Sequence, residues 1–383
     1  MPLMQRLRTE LFALKMALRM AHQYLFDPSL RAVSSIRQFF TMFGQIAYEA
    51  VTNNGKTVEE VAVEALGKDR NALSGKVAII TGANSGLGLQ NARVLMHYGC
   101  TVIWAVRNLE KAQKALDKLD SGEGTHTCED GHVHRCCGKT TGKAILLQVD
   151  ISDLTTVKPF VTDFLKLGLP LHYLILNAGI MAPPQWEPSK QGYESMFATN
   201  NLGHFLMSEL LLPKIEETAK TATEARIVIL SSAACTMCTS IDLSKCPVPK
   251  EEYHELGTYA VTKAIDAFHA RYLQEKYRGA NIYACAVHPG VIETGLLAKN
   301  EGMGTLFYKS LSFAPFRKSI PQGAATTMFC TVSPDVPKHA GDGYFFYFNR
   351  GPQRVLGVAA PGWADHLVHA CEERQLELVK PYM

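Results

Sequence analysis

The apolar run Val77-Ala78-Ile79-Ile80 passes directly into Thr81-Gly82-Ala83-Asn84-Ser85-Gly86-Leu87-Gly88, and this junction restricts the fold more than any other stretch of the chain. A short apolar run, mostly β-branched and closed by a glycine turn, reads as a buried parallel strand. From Leu87 to Tyr98 the pattern turns helical, with Leu87, Leu89, Val94 and Leu95 available to one apolar face. Strand, glycine turn and helix in that order form the context of a dinucleotide fingerprint. Glycine lets the backbone turn tightly and approach a pyrophosphate, and the helix N-terminus offers free N–H groups to the anion. Gly82, Asn84, Ser85, Gly86, Leu87 and Gly88 are therefore candidate cofactor contacts. The spacing Gly82-x-x-x-Gly86-x-Gly88 differs from the commonest Gly-x-Gly-x-x-Gly, and a connecting loop without ligand is the plain alternative.

A second strand is expected at Thr101–Val106, and its end bears on which cofactor is used. Enzymes that hold the adenine ribose of NAD place a carboxylate there to accept from the 2′-hydroxyl. This chain has Val106 and then Arg107, with no acid beside them in sequence. A guanidinium suits a 2′-phosphate through paired, charge-assisted bonds. The expectation is NADP(H) in preference to NAD(H), against a reading of Arg107 as a solvated loop residue.

Far downstream lies Tyr259-Ala-Val-Thr-Lys263. Hydride transfer between an alcohol carbon and nicotinamide needs a group that takes or gives the hydroxyl proton. A tyrosine phenol, with a reference pKa of about 10, is too weakly acidic to act as a base at neutral pH unaided. Lys263 lies one helical turn further on the same face, and its charge favours the phenolate. Alone, Tyr-x-x-x-Lys occurs in helices by chance. Following the glycine turn at a domain's distance, it describes a nicotinamide oxidoreductase.

From about Gly75 to about Asn349 the chain resembles a short-chain dehydrogenase/reductase. The matching pieces are the glycine turn, Asp150 after a third strand, Asn177-Ala178-Gly179, Asn200, Ser231-Ser232, Tyr259-x-x-x-Lys263 and Pro289-Gly290. Asn200-Asn-Leu-Gly-His-Phe205, Val287-His-Pro-Gly290 and Gln322-Gly-Ala-Ala-Thr-Thr327 are most similar to the retinol dehydrogenase and WW-domain oxidoreductase branch. The resemblance implies an α/β fold, a doubly wound Rossmann-type parallel sheet with helices on both faces. It implies a catalytic set of Asn200, Ser232, Tyr259 and Lys263. In that set Lys263 also bonds the nicotinamide ribose, Ser232 (the second of the pair) bonds the substrate oxygen, and Asn200 holds a water linking Lys263 to solvent. Asp150 would accept from the adenine amino group, and Asn177, Ala178 and Gly179 would line the adenine ribose side. Pro289, Gly290 and Thr294 would flank the nicotinamide. Each of these residues follows an expected strand, where ligands of open α/β sheets sit.

With 383 residues there is room for one large α/β domain with appendages. The expected organisation is a helical N-terminal extension over 1–74, a catalytic domain over 75–350 with an insertion at 121–142, and a tail over 351–383. A net charge of +3, with no basic run carrying interleaved aromatics, argues against a nucleic-acid partner. Ten unevenly spaced cysteines do not resemble a disulfide scaffold and fit a reducing compartment.

The stretch Leu11–Ala21 is strongly helical, with Arg8, Lys15, Arg19 and His22 near one stripe. Charge interrupts it too often for a transmembrane span of roughly 20 apolar residues. Three readings stay open: a helix on a membrane surface, a mitochondrial transit peptide (Glu10 and Asp27 count against it), or a helix packed on the catalytic domain or a second copy, as in a homodimer. The corresponding locations are the cytoplasmic face of a membrane (endoplasmic reticulum or lipid droplet), the cytosol, or the mitochondrion. Thr57-Val-Glu-Glu60 has the spacing of a capping box and predicts a folded helix. The only tryptophans, Trp104, Trp186 and Trp363, exclude a WW module ahead of the first strand.

The insertion carries His126, Cys128, His132, His134, Cys136 and Cys137. That density suits zinc, but the spacing matches no standard module, so the expectation is a loop without metal. Cys235-Thr-Met-Cys238 is a lone C-x-x-C, read as loop packing rather than a redox pair. Leu296, Leu297, Met303, Leu306, Phe307, Phe313 and Phe316 form a mostly apolar segment that fits a lipophilic alcohol, aldehyde or ketone of retinoid, steroid or polyprenoid type. Tyr344–Phe348 reads as the last buried strand and Trp363–Leu378 as an amphipathic helix. Two rivals remain: an NAD(H)-dependent hydroxysteroid dehydrogenase, and a cofactor-binding scaffold protein acting through its amino-terminal segment.

Overall fold

The computed structural model describes residues 56–121, 126–127, 133–134, 141–222, 224–238, 241–292, 317–348, 351–353 and 365–383. Its centre is an eight-stranded sheet. Strands β1 (Val77–Thr81), β2 (Thr101–Val106), β3 (Lys143–Gln148), β4 (Tyr173–Leu176), β5 (Ala225–Leu230), β6 (Ile282–His288) and β7 (Phe346–Phe348) are parallel, and β8 (Gly351–Gln353) returns antiparallel on the edge. The order is β3-β2-β1-β4-β5-β6-β7-β8. The chain therefore reverses direction across the sheet between β1 and β4, and a crevice opens there beyond the strands' carboxyl ends.

Strand side chains alternate between two cores. Val77, Ile79, Ile103, Ala105, Ile227 and Ile229 face one; Ala78, Ile80, Val102, Trp104, Val228 and Leu230 face the other. A central strand must satisfy helices on both faces, so its sequence is continuously apolar instead of alternating. Helices α1 (Val58–Leu66), α2 (Gly86–His97), α3 (Leu109–Ser121) and α7 (Ile320–Val332) contribute to the second core. The first is covered by α4 (Val157–Lys166), α5 (Gly203–Thr221), α6 (Glu255–Lys276) and α9 (Asp365–Val379). A short α8 (Val336–Gly341) leads into β7.

Two peripheral helices matter for the body. Helix α1 opens as its spacing predicts: Thr57 Oγ1 accepts from the Glu60 amide at 3.4 Å while the Glu60 carboxylate accepts from the Thr57 amide at 2.6 Å. Its Val58, Val61 and Ala62 are buried with Ala324, Ala325 and Met328 of α7, and Glu59 pairs with Arg93 of α2. Helix α1, which the sequence groups with the amino-terminal extension, thus packs on α2 and α7. Helix α9 lies across α6 and α5, burying Val368, Cys371 and Val379. Arg271 of α6 pairs with Asp365, and His269 Nδ1 lies 3.1 Å from the Glu372 carboxylate.

Among the described residues no helix is long and apolar enough to cross a membrane, and no group of three or more His, Cys, Asp or Glu stands as a metal site. In the insertion, His126–Thr127 pairs antiparallel with Val133–His134; Cys128, His132, Cys136 and Cys137 lie outside the described residues, as do Leu11–Ala21, Thr294 and the apolar segment from Leu296 to Phe316.

Because Val61 is 1% exposed within the core under α7, Val61→Ala removes two methyl groups from a packed site. The loss should be about 2 kcal/mol, read as a lower urea midpoint with an unchanged slope; an unshifted midpoint would mean that α1 does not share the body's cooperative unfolding.

Candidate active site

The glycine turn closes β1 and opens α2. Gly82 (φ 69°) and Gly86 (φ 55°) both adopt left-handed backbone, which side chains with a Cβ resist. Gly88 answers to a different constraint: a Cβ there would sit 2.5 Å from the Gly82 carbonyl oxygen and 2.6 Å from Asn177 Nδ2. Only glycine lets the first turn of α2 press against the strand ends. Around Gly86 the equivalent position is open, with no atom within 4 Å. Ser85, the N-cap of α2, makes no side-chain cap bond to the helix amides. Amides at a helix start, a glycine facing open space and a tight turn fit the pyrophosphate of a dinucleotide.

Thr81 ties this turn to the next strands. Its Oγ1 accepts from the Asn177 and Ala178 amides at 2.8 and 2.9 Å and lies 3.0 Å from His204 Nε2. Asn177 Nδ2 donates to the Thr81 carbonyl at 2.8 Å. With both hydroxyl lone pairs engaged, the Thr81 proton points to His204 Nε2, which fixes the tautomer: His204 Nδ1–H donates to the Asn200 carbonyl at 3.2 Å. Burial, reinforced by Lys263, pushes His204 down to about 3, consistent with a neutral ring. Asn200 itself lies in a π-helical segment, Phe197–Leu202, ahead of α5. Its side chain accepts from the Ile180 amide (2.9 Å) and donates to the Ile180 carbonyl (3.0 Å) and Thr262 Oγ1 (3.2 Å). Asn177, Ala178 and Gly179 are thus held from both ends.

At the carboxyl end of β5 the geometry separates the two serines. Ser231 is buried and donates to the Lys263 carbonyl at 2.6 Å, so its hydroxyl is consumed by the fold. Ser232 is half-buried; its Oγ accepts from the Ala234 amide at 3.2 Å, and its hydroxyl lies near enough to the Tyr259 phenol to favour the phenolate. Tyr259 and Lys263 project from α6, with Lys263 Nζ 5.8 Å from the tyrosine ring centre. The ammonium donates to the Leu230 carbonyl at 2.8 Å and to Asp266 Oδ2 at 2.7 Å. Burial would push Lys263 down, but the Asp266 carboxylate and Tyr259 outweigh it and hold the amine above its ordinary value. Burial also lifts Asp266, and Lys263, His269 and Asn201 draw it only part of the way back, so its net direction is upward.

For Tyr259 the balance departs from the sequence expectation. Burial raises the phenol, Lys263 and Ser232 lower it, and Asp266 raises it again; the net direction is upward. Lys263 does favour the phenolate, but much of its charge is answered by Asp266, and the tyrosine keeps its proton at neutral pH.

Arg107, at the end of β2, also departs from expectation. The sequence places no acid beside it, but the fold brings Asp150 Oδ2 to 3.9 Å from its guanidinium. The other Asp150 oxygen accepts from Ser152 N and Oγ at 3.0 and 2.6 Å, building the turn after β3. Arg107 remains 73% exposed, so the long contact leaves its fork able to meet another anion. Pro289 and Gly290 follow β6, with Gly290 at φ 97°. Leu87 packs partly buried against the second core, near Gly323 of α7. Cys235 and Cys238 are both buried free thiols, and burial pushes Cys235 up to about 12, which suits packing over redox work.

Thr81 and His204 stand within the sequence motifs, but their bridging role is not read from the sequence. Asp266 lies outside the motifs, its one signal being an acid three residues after a lysine on one helical face.

The family model described as short chain dehydrogenase matches residues 76–129 and 128–303. The chain is similar to the short-chain dehydrogenase TIC 32 B, chloroplastic, of Brassica napus, with 39% identity over 266 residues covering 68% of this chain and 76% of that protein. Retinol dehydrogenase 12 of Mus musculus is 30% identical over 278 residues, covering 70% and 77%. Among solved structures, an uncharacterised protein from Mycobacterium Paratuberculosis superposes with a TM-score of 0.56 at 26% identity, over 80% of this chain and 94% of that one. The chain belongs to the short-chain dehydrogenase/reductase family, oxidoreductases that use NAD(P)(H).

Proposed function

We propose that the protein is an NADP(H)-dependent oxidoreductase interconverting a lipophilic alcohol and its aldehyde or ketone, of retinoid, steroid or polyprenoid type. The observation that carries this reading is the Ser232–Tyr259–Lys263 cluster, set where the strands end and beside a turn shaped for pyrophosphate. When bound, the nicotinamide supplies or accepts the hydride. Gly82, Asn84, Ser85, Gly86, Leu87 and Gly88 would hold the pyrophosphate side, Asp150 and Asn177 to Gly179 the adenosine side, and Pro289, Gly290 and Thr294 the nicotinamide side.

In carbonyl reduction Ser232 orients the substrate oxygen and Tyr259, which keeps its proton through neutral pH, delivers it there. Two of the three Lys263 N–H groups are engaged, leaving one for a ribose hydroxyl, and its charge offsets the phenolate that forms. Asn200, in its π-helical turn, would position water for reprotonation. For the cofactor, the absence of an acid after Val106 and the exposed Arg107 fork support a 2′-phosphate. The apolar stretch from Leu296 to Phe316 and the likeness to a retinol dehydrogenase support a lipophilic substrate.

Turnover of NADPH with retinal, keto-steroids and a polyprenal by purified protein is the direct test. Tyr259→Phe should lower kcat by about a hundred- to ten-thousand-fold with cofactor affinity kept; full activity in the variant, or a biological effect that survives it, would favour the scaffold reading. Because the phenol lies above its ordinary value, reduction should stay level through neutral pH and fall as alkaline pH removes the proton.

Arg107→Ala should raise the KM for NADPH by about tenfold or more, the loss of one charge-assisted contact, and leave NADH kinetics unchanged. An equal effect on both cofactors, or a wild-type preference for NADH, would overturn the cofactor assignment.

A further inference from the structure

Resting on the reading that Tyr259 and Lys263 carry the proton chemistry, one buried group stands behind them without a role. Asp266 is 4% exposed, and both of its oxygens are engaged: Oδ2 with the Lys263 ammonium at 2.7 Å, Oδ1 with Asn201 Nδ2 at 2.7 Å. Asn201 also donates to the Thr262 carbonyl at 2.8 Å, so the π-helical segment that presents Asn200 fixes the Asp266 carboxylate from behind. We infer that Asp266 is a positioning residue for the reaction: anchored by Asn201 and bonded to the Lys263 ammonium, its carboxylate sets where that ammonium sits and how much of its charge reaches the Tyr259 phenol.

The alternative is a carboxylate that only stitches α6 to the π segment, and the two differ in what they predict for titration. On α6 the groups facing Asp266 are Tyr259, Lys263 and His269, and His269 is in turn bonded to Glu372 of α9. From the other elements packed around it, Cys235 after β5 and Cys371 of α9 face it, both with thiols raised by burial and so neutral. Lys263, Asp266 and His269 follow one another at intervals of three residues, a buried file of basic and acidic groups that ends at Glu372. Removing one negative charge from this file disfavours every nearby cation and favours every nearby anion. Both the phenol and the ammonium should then release their protons at lower pH, displacing the whole activity window in one direction. Loss of a mere stitch would lower stability or rate without moving the window.

The test is the titration of Tyr259 with NADP+ bound, read as tyrosinate absorbance in each enzyme minus its Tyr259→Phe counterpart. Asp266→Asn should lower the midpoint by about one pH unit, and Asp266→Glu should return it toward wild type. If Asp266→Asn is recovered unfolded by circular dichroism, Asp266→Ser serves the same measurement. A midpoint that stays in place or rises in a folded variant overturns the inference. The pH dependence of kcat/KM for alcohol oxidation gives the second readout: both limbs should move to lower pH, whereas a uniform loss at every pH would assign Asp266 a structural role only. The absorbance titration needs no substrate, so absence of turnover in the wild-type protein would count against the proposed function and leave this measurement standing.

Discussion

The hydroxyl of Thr81 is the smallest part on which the arrangement of this site rests. It stands at the carboxyl end of β1, where the sheet changes direction, and satisfies the two backbone amides that follow β4 on one side. Its proton commits His204 to a single neutral tautomer, and that tautomer reaches the carbonyl of Asn200. A buried donor or acceptor left unmatched here would cost about 1–3 kcal/mol, so the glycine turn, the Asn177–Gly179 run and the π-helical segment are obliged to settle together. The dinucleotide side and the proton-transfer side of the crevice are thereby one hydrogen-bonded unit.

Much of this was legible in the chain. The strand–turn–helix junction at Val77–Gly88 announces itself through apolar continuity and glycine spacing, and the parallel sheet follows from it. Tyr259 and Lys263 share a helical face by arithmetic, and the capping box at Thr57 and the terminal helix after Trp363 are read from local patterns. What the sequence conceals is contact between distant segments. No periodicity brings Asp150 beside Arg107, because that pair forms only when β3 is laid against β2. Nor does a pattern foretell that Ser231 spends its hydroxyl on the Lys263 carbonyl while Ser232 stays available, since the choice depends on how α6 sits against β5.

The energetics of the tyrosine show why local chemistry alone misleads. A lysine one turn away argues for an acidic phenol, and in water that would be a small effect. In the interior both the attraction and the cost of burial grow, and here burial together with the Asp266 charge prevails. Lys263 owes its own charge to the same carboxylate. The residues act as a set whose members cannot be assigned proton affinities one at a time.

The placement of α9 has a consequence for assembly. By lying across α5 and α6 and burying Val368, Cys371 and Val379, it fills from within the chain the apolar flank that those two long helices would otherwise present. Any pairing of this protein with a second copy must therefore either use a different surface or first peel residues 365–379 away, breaking the Arg271–Asp365 and His269–Glu372 contacts as it does so.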